Sequence, residues 1–348
     1  MKVKIIAIIA GVVVFALGVL AIPRPPSLSA ETSGDAALVA EVRDLLAETP
    51  GVRDHVSVAA IDGGEVRVAH FGATDDTEYE IGSVTKTVTA SLLVDAIERG
   101  EVDASTTLEE LLDVEGSAAA SITLEELATQ SSGLPRLATS PGMIINALIA
   151  NYRASDPYGS TIDQLVDSAR TVPVGEKKFE YSNLGFALLG QSLAAATDTD
   201  YSTLAAERVF GPLGMDDTFA PTSTDDLADD APTGYTASGR SSDPWTLGAD
   251  APAGSVRSTL ADMTTYVRAQ LDETAPGVAA TEPREKVEGA GEIGYAWFTT
   301  NGVTWHNGGT GGFTSWVGFD RETGRGVVVL NNSTTSVDDV GFALMEGN

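Results

Sequence analysis

Two stretches of strand-like sequence stand far apart in this chain, with a long helical stretch between them. Near the N-terminus, residues 56–61 and 65–71 are β-type runs joined by Asp62-Gly63-Gly64, the composition of a tight hairpin turn. In the last quarter, residues 293–299, 303–306, 313–319 and 326–330 alternate with glycine-rich or Asn-Gly turns, the pattern of an antiparallel meander. Strands, then helices, then strands imply one antiparallel sheet built from both ends of the chain, with the helical stretch inserted. The expected fold is α+β in three layers, an antiparallel sheet flanked by N- and C-terminal helices and carrying an inserted, mainly helical subdomain. Its sheet subdomain covers about 35–82 and 251–348, and its helical subdomain about 83–250. No period of 20 to 50 residues repeats, which excludes a solenoid or propeller.

Leu38, Val42, Leu45 and Leu46 fall at helical spacing before Pro50-Gly51, and residues 337–345 form a closing helix. In the insertion, helical patterns cover 108–112, 124–129, 143–152, 162–169, 184–196 and 201–210, and another covers 259–271. Residues 216–250 are rich in Asp, Thr, Pro and Gly and read as a long surface loop. Its Asp225, Asp226, Asp229 and Asp230 read as a solvated face, because the spacing of a calcium loop is missing.

The N-terminus is of another kind. Lys2 and Lys4 precede an unbroken apolar run over residues 5–22, roughly 27 Å long as a helix and enough to cross a bilayer. The lysines favour a cytoplasmic N-terminus, which sends the rest of the chain outside. Residues 1–22 thus read as a transmembrane anchor or signal peptide, with a Pro-rich linker over 23–34. As candidate cleavage sites, Val19-Leu20-Ala21 is fair and Leu28-Ser29-Ala30 is poor.

Composition excludes several functions. A formal charge of −29 repels nucleic acid and fits a soluble monomer. With no cysteine and only His55, His70 and His306 as imidazoles, no metal site or cofactor is expected; His55 and His70 read as strand or loop residues. Lysine is scarce, and beyond the N-terminus it occurs only at 86, 177, 178 and 286. Lys86 lies in a nearly uncharged helix pattern over 83–97, where an unpartnered ammonium would be costly.

That lysine stands three residues after a serine, in Gly82-Ser83-Val84-Thr85-Lys86, a spacing that puts hydroxyl and amine on one helix face. A capped helix with a surface lysine gives the same pattern. Downstream lie Tyr181-Ser182-Asn183 and Trp305-His306-Asn307-Gly308-Gly309. Alone, the first is also a packed tyrosine beside a helix cap, and the second a glycine hairpin.

Taken in order, with Thr123-Leu124-Glu125-Glu126-Leu127 leading to Ser132-Gly133-Leu134-Pro135, then Val209-Phe210-Gly211-Pro212-Leu213-Gly214-Met215 and Pro252-Ala253-Gly254-Ser255-Val256-Arg257-Ser258, these motifs resemble the serine β-lactamase-like family of penicillin-recognising enzymes. The likeness is to the branch that holds class C β-lactamases, D-Ala-D-Ala carboxypeptidases and esterases, and it runs from about 35 to 345. It implies Ser83 as nucleophile, Lys86 as the amine that helps deprotonate it, and Tyr181 as the proton relay to the leaving group. It also implies that Asn183 holds Lys86 and the substrate amide, that His306 replaces the lysine of a K-T-G motif, and that the N–H of Gly309 joins that of Ser83 in an oxyanion hole. His306, neutral near pH 7 and a hydrogen-bond donor, departs from the fixed cation that pairs with a β-lactam carboxylate. The expected activity is therefore a D-Ala-D-Ala carboxypeptidase, D-peptidase or esterase acting outside the cytoplasmic membrane through a Ser83 acyl-enzyme. A β-lactamase is the alternative, and a non-catalytic domain that binds cell-wall fragments is a second.

Overall fold

The computed structural model describes residues 25–137, 149–150, 152–289 and 291–347. The expected anchor or signal at 1–22, and most of the helix expected over 143–152, lie outside the described residues. Among the described residues no helix is long and apolar enough to cross a membrane.

The described residues form thirteen strands: β1 (Thr32–Gly34), β2 (Val56–Asp62), β3 (Glu65–Phe71), β4 (Tyr79–Glu80), β5 (Gly234–Tyr235), β6 (Ser241–Ser242), β7 (Arg257–Ser258), β8 (Glu285–Val287), β9 (Gly291–Ile293), β10 (Phe298–Thr300), β11 (Val303–Gly309), β12 (Thr314–Asp320) and β13 (Arg325–Asn331). Nine form one sheet in the order β1-β3-β2-β13-β12-β11-β10-β9-β8. The seam between the chain's two ends is the β2–β13 pair, with Val56 opposite Asn331 and Asp62 opposite Arg325. Alternation along these strands feeds two cores. Val56, Val58, Val327 and Val329 pack with Leu38, Val42 and Leu46 of the helix Ala36–Glu48 and with Val340 and Leu344 of the helix Asp338–Glu346. Their neighbours Ala59, Ile61, Val328 and Leu330 face the other way, toward Tyr266 and Val267 of the helix Leu260–Leu271 and the helical insertion beyond it.

Three details differ from the sequence reading. The strand expected over 293–299 is two short strands, β9 and β10, broken where Ala296 takes a left-handed backbone (φ 64°). The expected loop 216–250 contains the two-residue hairpin β5–β6. Two small pairings carried no signal: the edge strand β1, and β4 with β7, which sets Glu80 opposite Arg257. His70 lies in a small buried network, its Nδ1 3.0 Å from Ser57 Oγ and its Nε2 3.1 Å from Asp75 Oδ1, while Ser57 also meets Tyr79 Oη at 2.9 Å.

Candidate active site

The helix Thr85–Glu98 is buried on nearly all sides, although its first turns are rich in threonine. Burial of those hydroxyls is tolerated because each finds a partner. Thr85 accepts from the N–H of Val256, Thr87 meets Tyr266 Oη, and Thr89 meets Tyr201 Oη and the carbonyl of Pro252. The turn Gly82–Val84 is 3₁₀ and delivers the chain from β4 into this helix, so Ser83 sits at its N-terminal, positive end.

The approach to Ser83 depends on glycine. Gly82 has φ 52°, and a methyl group there would come within 2.5 Å of the Gly309 nitrogen. On Gly308 a methyl would come within 1.9 Å of the Ile81 carbonyl oxygen, which also accepts from Ser315 Oγ at 2.7 Å. Strand β11 therefore lies flush against the backbone that carries Ser83. Gly82→Ala is expected to push the turn away from β11 and lower turnover by roughly 10²-fold, because angstrom-scale misplacement of reacting groups has that effect. Acylation rate and melting temperature measured together check it; an unchanged rate would show that the contact is incidental.

Lys86 is fully buried. Its Nζ lies 3.0 Å from Ser83 Oγ and donates to the carbonyl of Ala253 at 2.5 Å. It also stands 5.0 Å from the ring centre of Tyr181 and 5.8 Å from that of Phe186. Burial, and secondarily the charge of Arg136, hold its pKa well below the ordinary lysine value. Tyr181, half-buried and hydrogen-bonded to Ser83, is shifted the other way. Burial pushes its phenol up to about 12, against the Ser83 hydrogen bond and the Arg136 charge. Two titratable groups driven in opposite directions on one hydroxyl are suited to opposite proton transfers, a neutral amine to take a proton and a phenol to give one.

His306 lies on β11 and is buried, with ring centres 6.3 Å from Tyr181 and 5.7 Å from Phe298. Burial presses its pKa down to about 3, so the ring is neutral. Nδ1 is 2.6 Å from the carbonyl of Asn307, which assigns it the ring proton and leaves Nε2 a buried acceptor without a protein partner among the described residues. In this tautomer the one N–H of the ring is used by the backbone, whereas the sequence suggested a ring free to donate.

Asn183 begins the helix Asn183–Ala196, with Ser182 rather than Asn183 as its N-cap. Its Nδ2 donates to Tyr158 Oη at 2.8 Å, and its Oδ1 is buried without a partner among the described residues. Tyr158 in turn meets Trp245 edge to face at 5.6 Å. Gly309 ends β11 beside Gly82, with open space where a side chain would stand.

A model of the beta-lactamase family matches residues 40–345. The chain belongs to the beta-lactamase family. It is similar to a beta-lactamase of Providencia stuartii, 30% identical over 47% of this chain and 42% of the relative. The D-alanyl-D-alanine-carboxypeptidase/endopeptidase AmpH of Escherichia coli K12 is 28% identical over 47% of this chain and 44% of the relative. The match thus spans less than half the length of these two curated relatives. Among solved structures, the fold resembles a class C beta-lactamase from Rhodobacter sphaeroides, with a TM-score of 0.75 and 22% identity over 90% of this chain and 99% of the other. An octameric penicillin-binding protein homologue from Pyrococcus abyssi gives a TM-score of 0.74 at 23% identity, over 90% of this chain and 77% of the other.

This beta-lactamase-family site contains residues that sequence reasoning missed. The guanidinium of Arg136 lies 5.1 Å from the ring centre of Tyr181 on an exposed turn, and no carboxylate within ion-pair distance of it is found among the described residues. Beneath the site, Arg257 is fully buried between Glu78 and Glu80. Glu80 Oε1 also accepts the N–H of Trp245 at 2.9 Å, and Thr310 hydrogen-bonds the same carboxylate. Arg136 follows directly on Ser132-Gly133-Leu134-Pro135, Arg257 lies in the stretch that begins at Pro252, and Glu80 stands just before Gly82-Ser83, but none of these motifs gave the residue a role.

Proposed function

We propose that the chain is a serine hydrolase that works through a Ser83 acyl-enzyme on D-amino-acid peptides or small esters, outside the cytoplasmic membrane. The observation that supports this reading is the convergence of Lys86 Nζ, 3.0 Å away, and the hydrogen-bonded Tyr181 on one serine hydroxyl, with burial driving their pKa values in opposite directions. In acylation, Ser83 Oγ attacks the substrate carbonyl while its proton passes to Lys86 Nζ. The negative oxygen of the tetrahedral intermediate is received by the N–H groups of Ser83 and Gly309. Collapse breaks the bond to the leaving group, which takes its proton from Tyr181 Oη, and Tyr181 recovers a proton from Lys86. Water then attacks the ester on Ser83 and releases the acid.

The neutral acceptor nitrogen of His306 offers no charge to a carboxylate, whether that of a β-lactam or of a D-Ala-D-Ala terminus, and so favours esters and amides that lack one. Turnover of a D-Ala-D-Ala peptide, a p-nitrophenyl ester and a chromogenic cephalosporin, measured side by side, tests the reading. Peptide or ester turnover lost in Ser83→Ala is expected; dominant cephalosporin turnover would make the protein a β-lactamase. If no reagent acylates Ser83 at all, the hydrolase reading fails in favour of a wall-fragment binder. Tyr181→Phe is expected to lower acylation by roughly 10²-fold with little change in melting temperature. Peptide and p-nitrophenyl ester kinetics check it, with the larger loss expected for the amide, whose leaving group needs a proton more.

A further inference from the structure

The first described residues lie beside a cavity that adjoins the site. Pro25 and Pro26 lie against Gly239, where a methyl group would come within 2.4 Å of Pro25 Cβ. Gly239 sits in the turn between β5 and β6, and four neighbours in that turn, Thr236, Ala237, Ser238 and Arg240, line a cavity of about 560 Å³. The same cavity is lined by Trp245, Thr310 and Gly311, and Thr310 directly follows Gly309 of the site. Arg240 Nη1 donates to the carbonyl of Tyr152 at 2.8 Å, which ties this turn to a rim of unusual composition. Tyr152 is 81% exposed and Ile149 45%, two of only four large apolar residues exposed among the described residues. Arg153 and Arg240 are exposed beside them, in a chain whose formal charge is −29.

The apolar run over residues 5–22 ends three residues before Pro25. Three extended residues reach about 10 Å at most. If the run lies in a bilayer, the turn 236–240 cannot be far from its surface, and the exposed tyrosine, isoleucine and arginines stand where a membrane interface favours such side chains. We propose that this rim faces the lipid bilayer that holds residues 5–22, so that the cleft opens onto the membrane surface and serves acyl donors held there. The proposal rests on the reading that residues 5–22 enter a bilayer, and not on which bond Ser83 cleaves.

The absence of cysteine allows a direct test. Full-length Tyr152→Cys, Ala237→Cys and Thr323→Cys, each carrying an environment-sensitive nitrobenzoxadiazole label, are reconstituted into vesicles of phosphatidylcholine and phosphatidylglycerol. Ala237 reports on the rim with Tyr152 intact, while Thr323 lies in the β12–β13 turn, at the far end of the strand from the site. Labels at 152 and 237 are expected to shift to the blue and to be quenched by headgroup nitroxide lipids, with neither effect at 323. Equal responses at all three positions, or water-like labels at the rim of protein that floats with the vesicles, would overturn the orientation. Failure to float would overturn the anchor and the orientation with it. Ser83-dependent ester turnover, measured in the same samples, reports separately on the hydrolase reading.

Discussion

Lys86→Met is expected to slow acylation of Ser83 by roughly 10³-fold, the scale of a general base that acts directly on the nucleophile. The amine lies 3.0 Å from Ser83 Oγ, and its first turn of helix fixes it there. Methionine fills about the same volume, so a lost rate is not a lost fold. The variant should melt at or above the wild-type temperature at pH 7. With the folded-state pKa of Lys86 depressed, the unfolded chain binds more protons than the folded one between that lowered value and the ordinary lysine value. The wild type therefore loses stability as pH falls through this window, and removing the amine flattens that dependence. Stopped-flow acylation and melting curves across pH check both halves. A Lys86→Met enzyme that acylates near the wild-type rate would transfer the base role to another group.

How much of this was legible in the sequence varies with the range of the interaction. The spacing of Ser83 and Lys86 was readable because a helix brings residues three apart together whatever surrounds it. The hairpin at Asp62-Gly63-Gly64 was readable for a similar reason, since Gly63 and Gly64 take the positive φ values that such a turn demands. The β-type run over 56–61 betrayed a strand, though not that its two faces feed separate cores. The break between β9 and β10 was hidden because Ala296 adopts a backbone that its residue type rarely takes.

Longer-range features left less trace. Nothing local indicates that Asn183 turns its Nδ2 to Tyr158, or that an exposed arginine after Leu134-Pro135 stands over the ring of Tyr181. The tautomer of His306 was equally hidden, for it depends on how β11 presents the Asn307 carbonyl to the ring. Motif order named the candidate groups, whereas their protonation is set by burial that only the assembled fold supplies.

The buried pair beneath the site shows how that assembly is held, and Arg257→Met is expected to lower stability by about 3–5 kcal/mol. The guanidinium meets Glu78 and, at 2.6 Å, Glu80 Oε1. Burial already raises the pKa of Glu80, and the charge of Arg257 is the first force that opposes it. Without that charge the carboxyl would shift further upward and take a proton in the folded state. A raised folded-state carboxyl pKa gives stability that is present below the ordinary value and lost as pH rises, so Arg257→Met should be more stable near pH 5 than near pH 8. The double variant Glu80→Gln, Arg257→Met removes the orphaned charge and should recover a large part of the loss. Glu80 stands three residues before Ser83 and also grips the Trp245 backbone and Thr310. Turnover should therefore fall in both variants even at a pH where both are folded, because the serine turn and the end of β11 lose their common tie. Denaturant titrations at the two pH values check the stabilities. No recovery in the double variant would mean that Arg257 acts through its packing, not through the carboxylate it faces.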